Sequence, residues 1–144
     1  MGYLLYHYIT NNPFILNKEI LTLVDVKQLV DTFYEKVRND ELLSKIFNPV
    51  IKDNWKMHLA KMYKFWQTIL LNENTYLGNA FIVHANLPIG NEHFTRWLEL
   101  FNQNIDEQFE GEKAIEAKLR AAKMAELFEW KINYAKTNSS ISIV

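Results

Sequence analysis

Two of the four histidines in this chain fall where a histidine can do chemistry. His84 ends the short apolar run Phe81-Ile82-Val83, just before a chain break enforced by Pro88 and Gly90. A histidine there can cap a helix, sit satisfied in a core, or hold a metal through its neutral imidazole. His58 lies three residues after Trp55, four before Met62 and eight before Trp66, on the apolar face of a helical pattern. A polar ring on such a face must find a partner. Tyr34 and Trp97 also fall on or beside apolar stripes, and each carries a polar tip on an aromatic body. His7 and His93 read as surface or structural residues.

The elements that must position these side chains are helical. Leu23, Val26, Val30, Phe33 and Val37 form a stripe that predicts a helix over about 18–39, with Leu29 and Tyr34 at its edge. Asn39-Asp40 ends it, and the stretch through Ile46-Phe47-Asn48-Pro49 reads as irregular. A second helix over about 53–71 has Trp55, Leu59, Met62, Trp66 and Ile69 on its apolar face. After a polar loop and the short His84 segment, Phe94, Trp97, Leu98 and Phe101 recur at helical spacing, and that helix runs to about Phe109, where Glu110-Gly111 stops it. The last helix, over about 112–133, takes Ile115, Leu119, Ala122, Ala125, Phe128 and Ile132 as its core stripe. We therefore expect an all-α fold organised as an N-terminal extension (1–17), one helical domain (18–133) and a flexible C-terminal tail (134–144).

Bulk properties narrow the function classes. At 144 residues and 49% hydrophobic, the chain can bury a substantial single core. Its net charge of -1 argues against nucleic-acid binding, which needs a basic face. There is no cysteine, which removes disulfides, zinc-thiolate and iron–sulfur sites and covalent C-x-x-C-H haem attachment. That absence fits a cytoplasmic protein. The first 17 residues are apolar but lack the charged start and cleavage site of a signal peptide, and no run is long enough to span a bilayer. Aromatic residues make up 14%, including four tryptophans. They suit either a bulky core or a pocket for a flat hydrophobic ligand.

A flat iron porphyrin between the helix carrying His58 and the segment carrying His84 would use all of these features. It needs one neutral imidazole as axial ligand. It needs apolar walls, which Phe33, Phe47, Met62, Trp66, Phe81, Leu87, Ile89 and Phe94 can supply. It needs a cation at its rim for the propionates, and Lys61 is a candidate. A diatomic ligand bound to ferrous iron becomes electron-rich, so the opposite face wants donors; Tyr34, Trp97 and His58 can provide them.

The chain resembles the truncated haemoglobins, and specifically their group III. The resemblance runs from about Leu23 to Lys131. It is carried by FYEKVRND at Phe33 to Asp40, by the IFN containing Phe47, by W-K-x-H-x-x-K with Trp55, His58 and Lys61, by the KFW ending at Trp66, and by H-x-x-L-P-I…HF-x-x-WL-x-LF from His84. No single piece is specific; the set in this order is. The resemblance implies a truncated globin fold, a two-over-two helical sandwich around non-covalent haem b. It implies His84 as proximal iron ligand, Tyr34 and His58 as distal residues, Phe47 wedged against the haem, Trp66 on the distal helix and Trp97 in the distal pocket. The extension through Phe14 is longer than the family core. The implied ligands are oxygen, nitric oxide and carbon monoxide at a pentacoordinate iron. Three classes then compete: an oxygen-binding or oxygen-transport globin, a redox enzyme turning over nitric oxide or peroxide with a separate reductase, and a cofactor-free helical interaction domain. A visible spectrum separates the third from the others.

Overall fold

The computed structural model describes residues 17–76 and 87–138. These residues form five helices: α1 (Leu23–Asn39), α2 (Glu41–Ile51), α3 (Trp55–Leu71), α4 (Asn91–Gln108) and α5 (Glu112–Thr137). α1 lies against α3 and α4, α4 against α5, and α2 bridges α1 and α4. The two helix pairs α1/α3 and α4/α5 make an all-α globin fold. None of the helices is long and apolar enough to cross a membrane.

α1 starts at Leu23, the first residue of its apolar stripe, and not near residue 18 as expected. The Asp25 carboxylate accepts the backbone N–H groups of Leu21 and Thr22, which fixes the first turn at Leu23. The residues before it run extended instead: Lys18 donates its N–H to the Gln108 carbonyl and accepts from the Glu110 N–H, pinning this segment along the α4–α5 turn. Gly111 there has a φ of +92°, a backbone conformation that favours glycine at this corner.

α2 corrects the expectation of an irregular stretch. Asp40 ends α1 and also caps α2, its carboxylate accepting the Leu43 N–H at 3.0 Å. Pro49 lies inside the last turns of this helix and removes one backbone donor. The helix persists because Leu43 and Ile51 are buried and Ile46 and Phe47 pack inward.

The first half of α5 is rotated relative to its expected stripe. Ala114, Ala117 and Ala121 face the core along with Ala125 of the expected stripe, while Ile115 and Leu119 are 61% and 65% exposed. Small side chains on this face let α5 approach α4 closely. The helix also continues to Thr137, beyond the predicted end at Asn133.

A polar network locks α1 onto α4. Asn104, fully buried, donates to the Leu29 carbonyl and accepts from Lys36 Nζ and Gln108 Nε2. Gln28 on α1 donates to Gln108 Oε1, and Gln108 donates to Thr32 Oγ1. Lys36 also pairs with Glu107 at 3.0 Å. Every buried amide here has partners, as burial of such groups requires.

Candidate functional site

Tyr34 sits on the inner face of α1, 6% exposed, one residue after the fully buried Phe33. Its ring is surrounded by aromatics. Phe33 lies edge-on at 5.0 Å between centroids, Phe47 of α2 at 6.3 Å, and Trp55 of α3 at 6.0 Å. The His58 imidazole meets it edge-on at 4.9 Å, and Trp55 stands edge-on to His58 at 5.8 Å. The Nε2 atom of His58 is sealed from solvent. Burial pushes the Tyr34 hydroxyl well above the usual phenol range, so it stays protonated and able to donate at any physiological pH.

Trp97 reaches this group from α4. It is half-buried, edge-on to Phe33 at 5.4 Å, and stacked on Phe101 at 5.4 Å with 12° between planes. Phe101 in turn stacks on Trp66 at 5.0 Å. The three predicted donors Tyr34, His58 and Trp97 therefore come from three helices and border one aromatic cluster, with Phe33, Phe47, Met62 and Trp66 in or against the same core. A solvent-open cavity of about 670 Å³ among α1, α2 and α3 has Tyr34, Trp55 and Leu59 in its wall and Arg38 and Lys52 among its polar lining.

The remaining predicted wall residues gather elsewhere. Leu87, Ile89 and Phe94 join Ile46, Phe128 and Ile132 in a second apolar cluster. α2 feeds both clusters with successive residues, Phe47 to the first and Ile46 to the second. Lys61 is exposed on α3, immediately before Met62. Phe81 and His84 lie outside the described residues, as does His7. His93 is structural: its Nδ1 accepts the Gly90 N–H at 3.0 Å and caps α4.

Three residues beside the site were given no site role from the sequence. Trp55 touches both Tyr34 and His58, and its signal was the i, i+3 spacing to His58. Phe101 joins Trp97 to Trp66, four residues after Trp97 on the same helix face. Arg38 covers the Trp55 ring at 4.5 Å to the centroid and had no readable signal.

Residues 21–131 match the bacterial-like globin family. The chain belongs to that family, as a group III truncated haemoglobin. It is 38% identical over 92 residues to a group 3 truncated haemoglobin of Campylobacter jejuni, covering 61% of this chain and 72% of that one. A crystal structure of a group III truncated haemoglobin from Campylobacter jejuni superposes with a TM-score of 0.75 at 33% identity, over 81% of this chain and 95% of that one. Membership of a globin family implies haem binding. The residues described here fit such a group: donors converge on one apolar cluster, and a second apolar cluster lies beyond α2.

Proposed function

We propose that this chain holds haem b non-covalently and binds oxygen, nitric oxide and carbon monoxide beside Tyr34, His58 and Trp97. The observation that carries the reading is the meeting of Tyr34 and His58 inside an aromatic shell, with Trp97 on the same cluster. When bound, haem supplies a ferrous iron with an open position for a diatomic gas. The chain supplies the rest. His84 would hold the iron through its imidazole. The first cluster, together with Leu87, Ile89 and Phe94, would supply the apolar walls that hold the macrocycle, and Lys61 would pair with a propionate. The Tyr34 hydroxyl and the Trp97 indole N–H would donate toward a ligand that gathers negative charge.

A redox role is favoured over simple delivery by the same donor set. Each hydrogen bond contributes about 0.5–1.5 kcal/mol net, and about 1.4 kcal/mol is tenfold in a rate or equilibrium. Two or three donors retain bound oxygen rather than release it. Retained oxygen suits nitric oxide dioxygenation, and a donor-rich pocket suits peroxide turnover, with electrons from a separate reductase.

The test is haem titration of the purified chain, followed in the visible spectrum. We expect stoichiometric binding in the wild type. His84→Gly is expected to lose the cofactor or to regain a wild-type-like ferrous spectrum only when imidazole is added. A variant that keeps the wild-type ferrous spectrum without imidazole removes His84 from this role.

A further inference from the structure

We propose that Tyr63, with Asp31 as its proton acceptor, is a surface redox site connected to the pocket through the stacked rings of Trp97, Phe101 and Trp66. The inference rests on the haem reading above. Trp97 borders the donor cluster, and no step along the Trp97–Phe101–Trp66 stack exceeds 5.4 Å between centroids. Tyr63 is the i−3 neighbour of Trp66 on α3, a spacing that sets the two Cβ atoms about 5–6 Å apart. Its hydroxyl donates to the Asp31 carboxylate of α1 at the partly exposed outer edge of the α1–α3 contact. The Lys27 ammonium lies over the same ring at 5.5 Å.

This arrangement answers the main obstacle to oxidising a tyrosine. A phenol that loses an electron must lose its proton in the same event, or the product is a high-energy cation. Asp31 already holds that hydrogen bond, so the proton moves to the carboxylate without rearrangement. Burial, together with the Asp31 hydrogen bond and charge, pushes the Tyr63 hydroxyl up to about 12, so the residue starts as a neutral phenol. Trp66 touches another run of rings, through Phe65 at 5.4 Å to Tyr76 at a further 5.3 Å. Tyr76 has no carboxylate bonded to it among the described residues, so the chemistry selects Tyr63.

The oxidant is hydrogen peroxide, reduced in the haem pocket. Each peroxide takes two electrons and two protons to become two molecules of water. Tyr63 passes one electron inward and its proton to Asp31, leaving a neutral tyrosyl radical and a carboxylic acid. A small phenol or other one-electron donor in solution then returns an electron to the radical, and Asp31 returns the proton. The proton that the donor sheds goes to solvent, which supplies the protons the peroxide consumes. Two such turns balance one peroxide. The site lets donors too bulky for the pocket be oxidised at the surface.

The experiment is freeze-quench electron paramagnetic resonance on haem-loaded protein mixed with hydrogen peroxide, with ring-deuterated tyrosine to identify tyrosyl signals. Wild-type protein and Tyr76→Phe are expected to show a tyrosyl radical that Tyr63→Phe lacks. Asp31→Asn keeps the ring but offers no carboxylate base, and is expected to lower the radical yield several-fold. Trp66→Phe is expected to slow its appearance. In the apoprotein, ultraviolet titration should move the Tyr63 hydroxyl back toward the ordinary phenol range in Asp31→Asn, a readout independent of haem. A tyrosyl signal unchanged in Tyr63→Phe overturns the proposal, as does peroxide consumption by a haem-loaded protein with no tyrosyl radical. Failure to bind haem at all would instead overturn the reading beneath it.

Discussion

Tyr34 on α1 and His58 on α3 meet edge-on, their ring centroids 4.9 Å apart and their planes at 89°. The contact joins the two helices at the point where the donor set gathers. It gives each ring a fixed neighbour, so a change in one side chain is felt by the other. Trp55 backs both rings from one turn earlier on α3. Tyr34 and His58 are thus held in place by packing against aromatics.

Tyr34→Phe keeps the ring and its packing and removes only the hydroxyl. Bound oxygen is electron-rich and gains from a donor, whereas carbon monoxide carries little charge. We expect oxygen dissociation to quicken about three- to tenfold, the loss of one hydrogen bond, with a smaller change for carbon monoxide. Trp97→Phe is expected to act in the same direction, with an added effect from the space it leaves beside Phe33 and Phe101. Stopped-flow dissociation rates for both gases decide it. Equal acceleration of the two gases would assign these residues a purely steric part.

Asn104 is a stability position with no side chain to offer the pocket. Asn104→Leu has similar bulk but removes the acceptor of Lys36 and Gln108 and the donor to the Leu29 carbonyl. Burying groups whose partners are gone costs about 1–3 kcal/mol, so we expect urea midpoints to fall accordingly. An unchanged midpoint would mean that water replaces the amide at the α1–α4 contact.

The placement of Tyr34, His58 and Trp97 was legible in the sequence because helical periodicity and side-chain chemistry coincide there. His58 and Trp97 fall on apolar stripes and Tyr34 at the edge of one, and the structure puts them on one cluster. α2 was not legible. Pro49 and the double use of Asp40 read as a break, while the inward packing of Leu43, Ile46, Phe47 and Ile51 outweighs the lost backbone donor. The α1–α4 network was also hidden: Gln28, Lys36, Asn104 and Gln108 are polar residues that a hydrophobic stripe cannot predict. On α5 the larger side chains misled, because close helix packing selected alanine for the inner face.

Asp40 predicts a defined acid sensitivity. Burial alone would raise its carboxyl, but the Leu43 N–H and the Arg96 guanidinium outweigh that and hold it below the ordinary value of 3.8. A carboxylate lowered in the folded state stabilises the fold above its unfolded value. That contribution is lost as pH falls below about 3.8 and through the folded value. Arg96 is 41% exposed, so the ion pair contributes little and the cap most. Asp40→Ala is expected to cost about 1 kcal/mol at neutral pH, and Asp40→Asn, itself a good cap, less. Chemical denaturation at pH 7 and pH 3 checks both: the wild-type advantage over Asp40→Ala should shrink at the lower pH.

The rotation of α5 can be tested by substituting on its two faces. Leu119 belongs to the stripe expected from sequence but is 65% exposed, whereas Ala117 is fully buried against the core. Leu119→Gln changes a solvated side chain and is expected to move stability by no more than about 0.5 kcal/mol. Ala117→Leu forces extra methylenes into the packed core and is expected to cost about 1–3 kcal/mol. The larger side chain is a better hydrophobe and a comparable helix former, so propensity offers no reason for the loss; only crowding does. If Leu119→Gln proves the costlier change in thermal or urea unfolding, then Ile115 and Leu119 face a packed surface in solution. If the order is as expected, the alanine face is what sets how closely α5 can approach its neighbours.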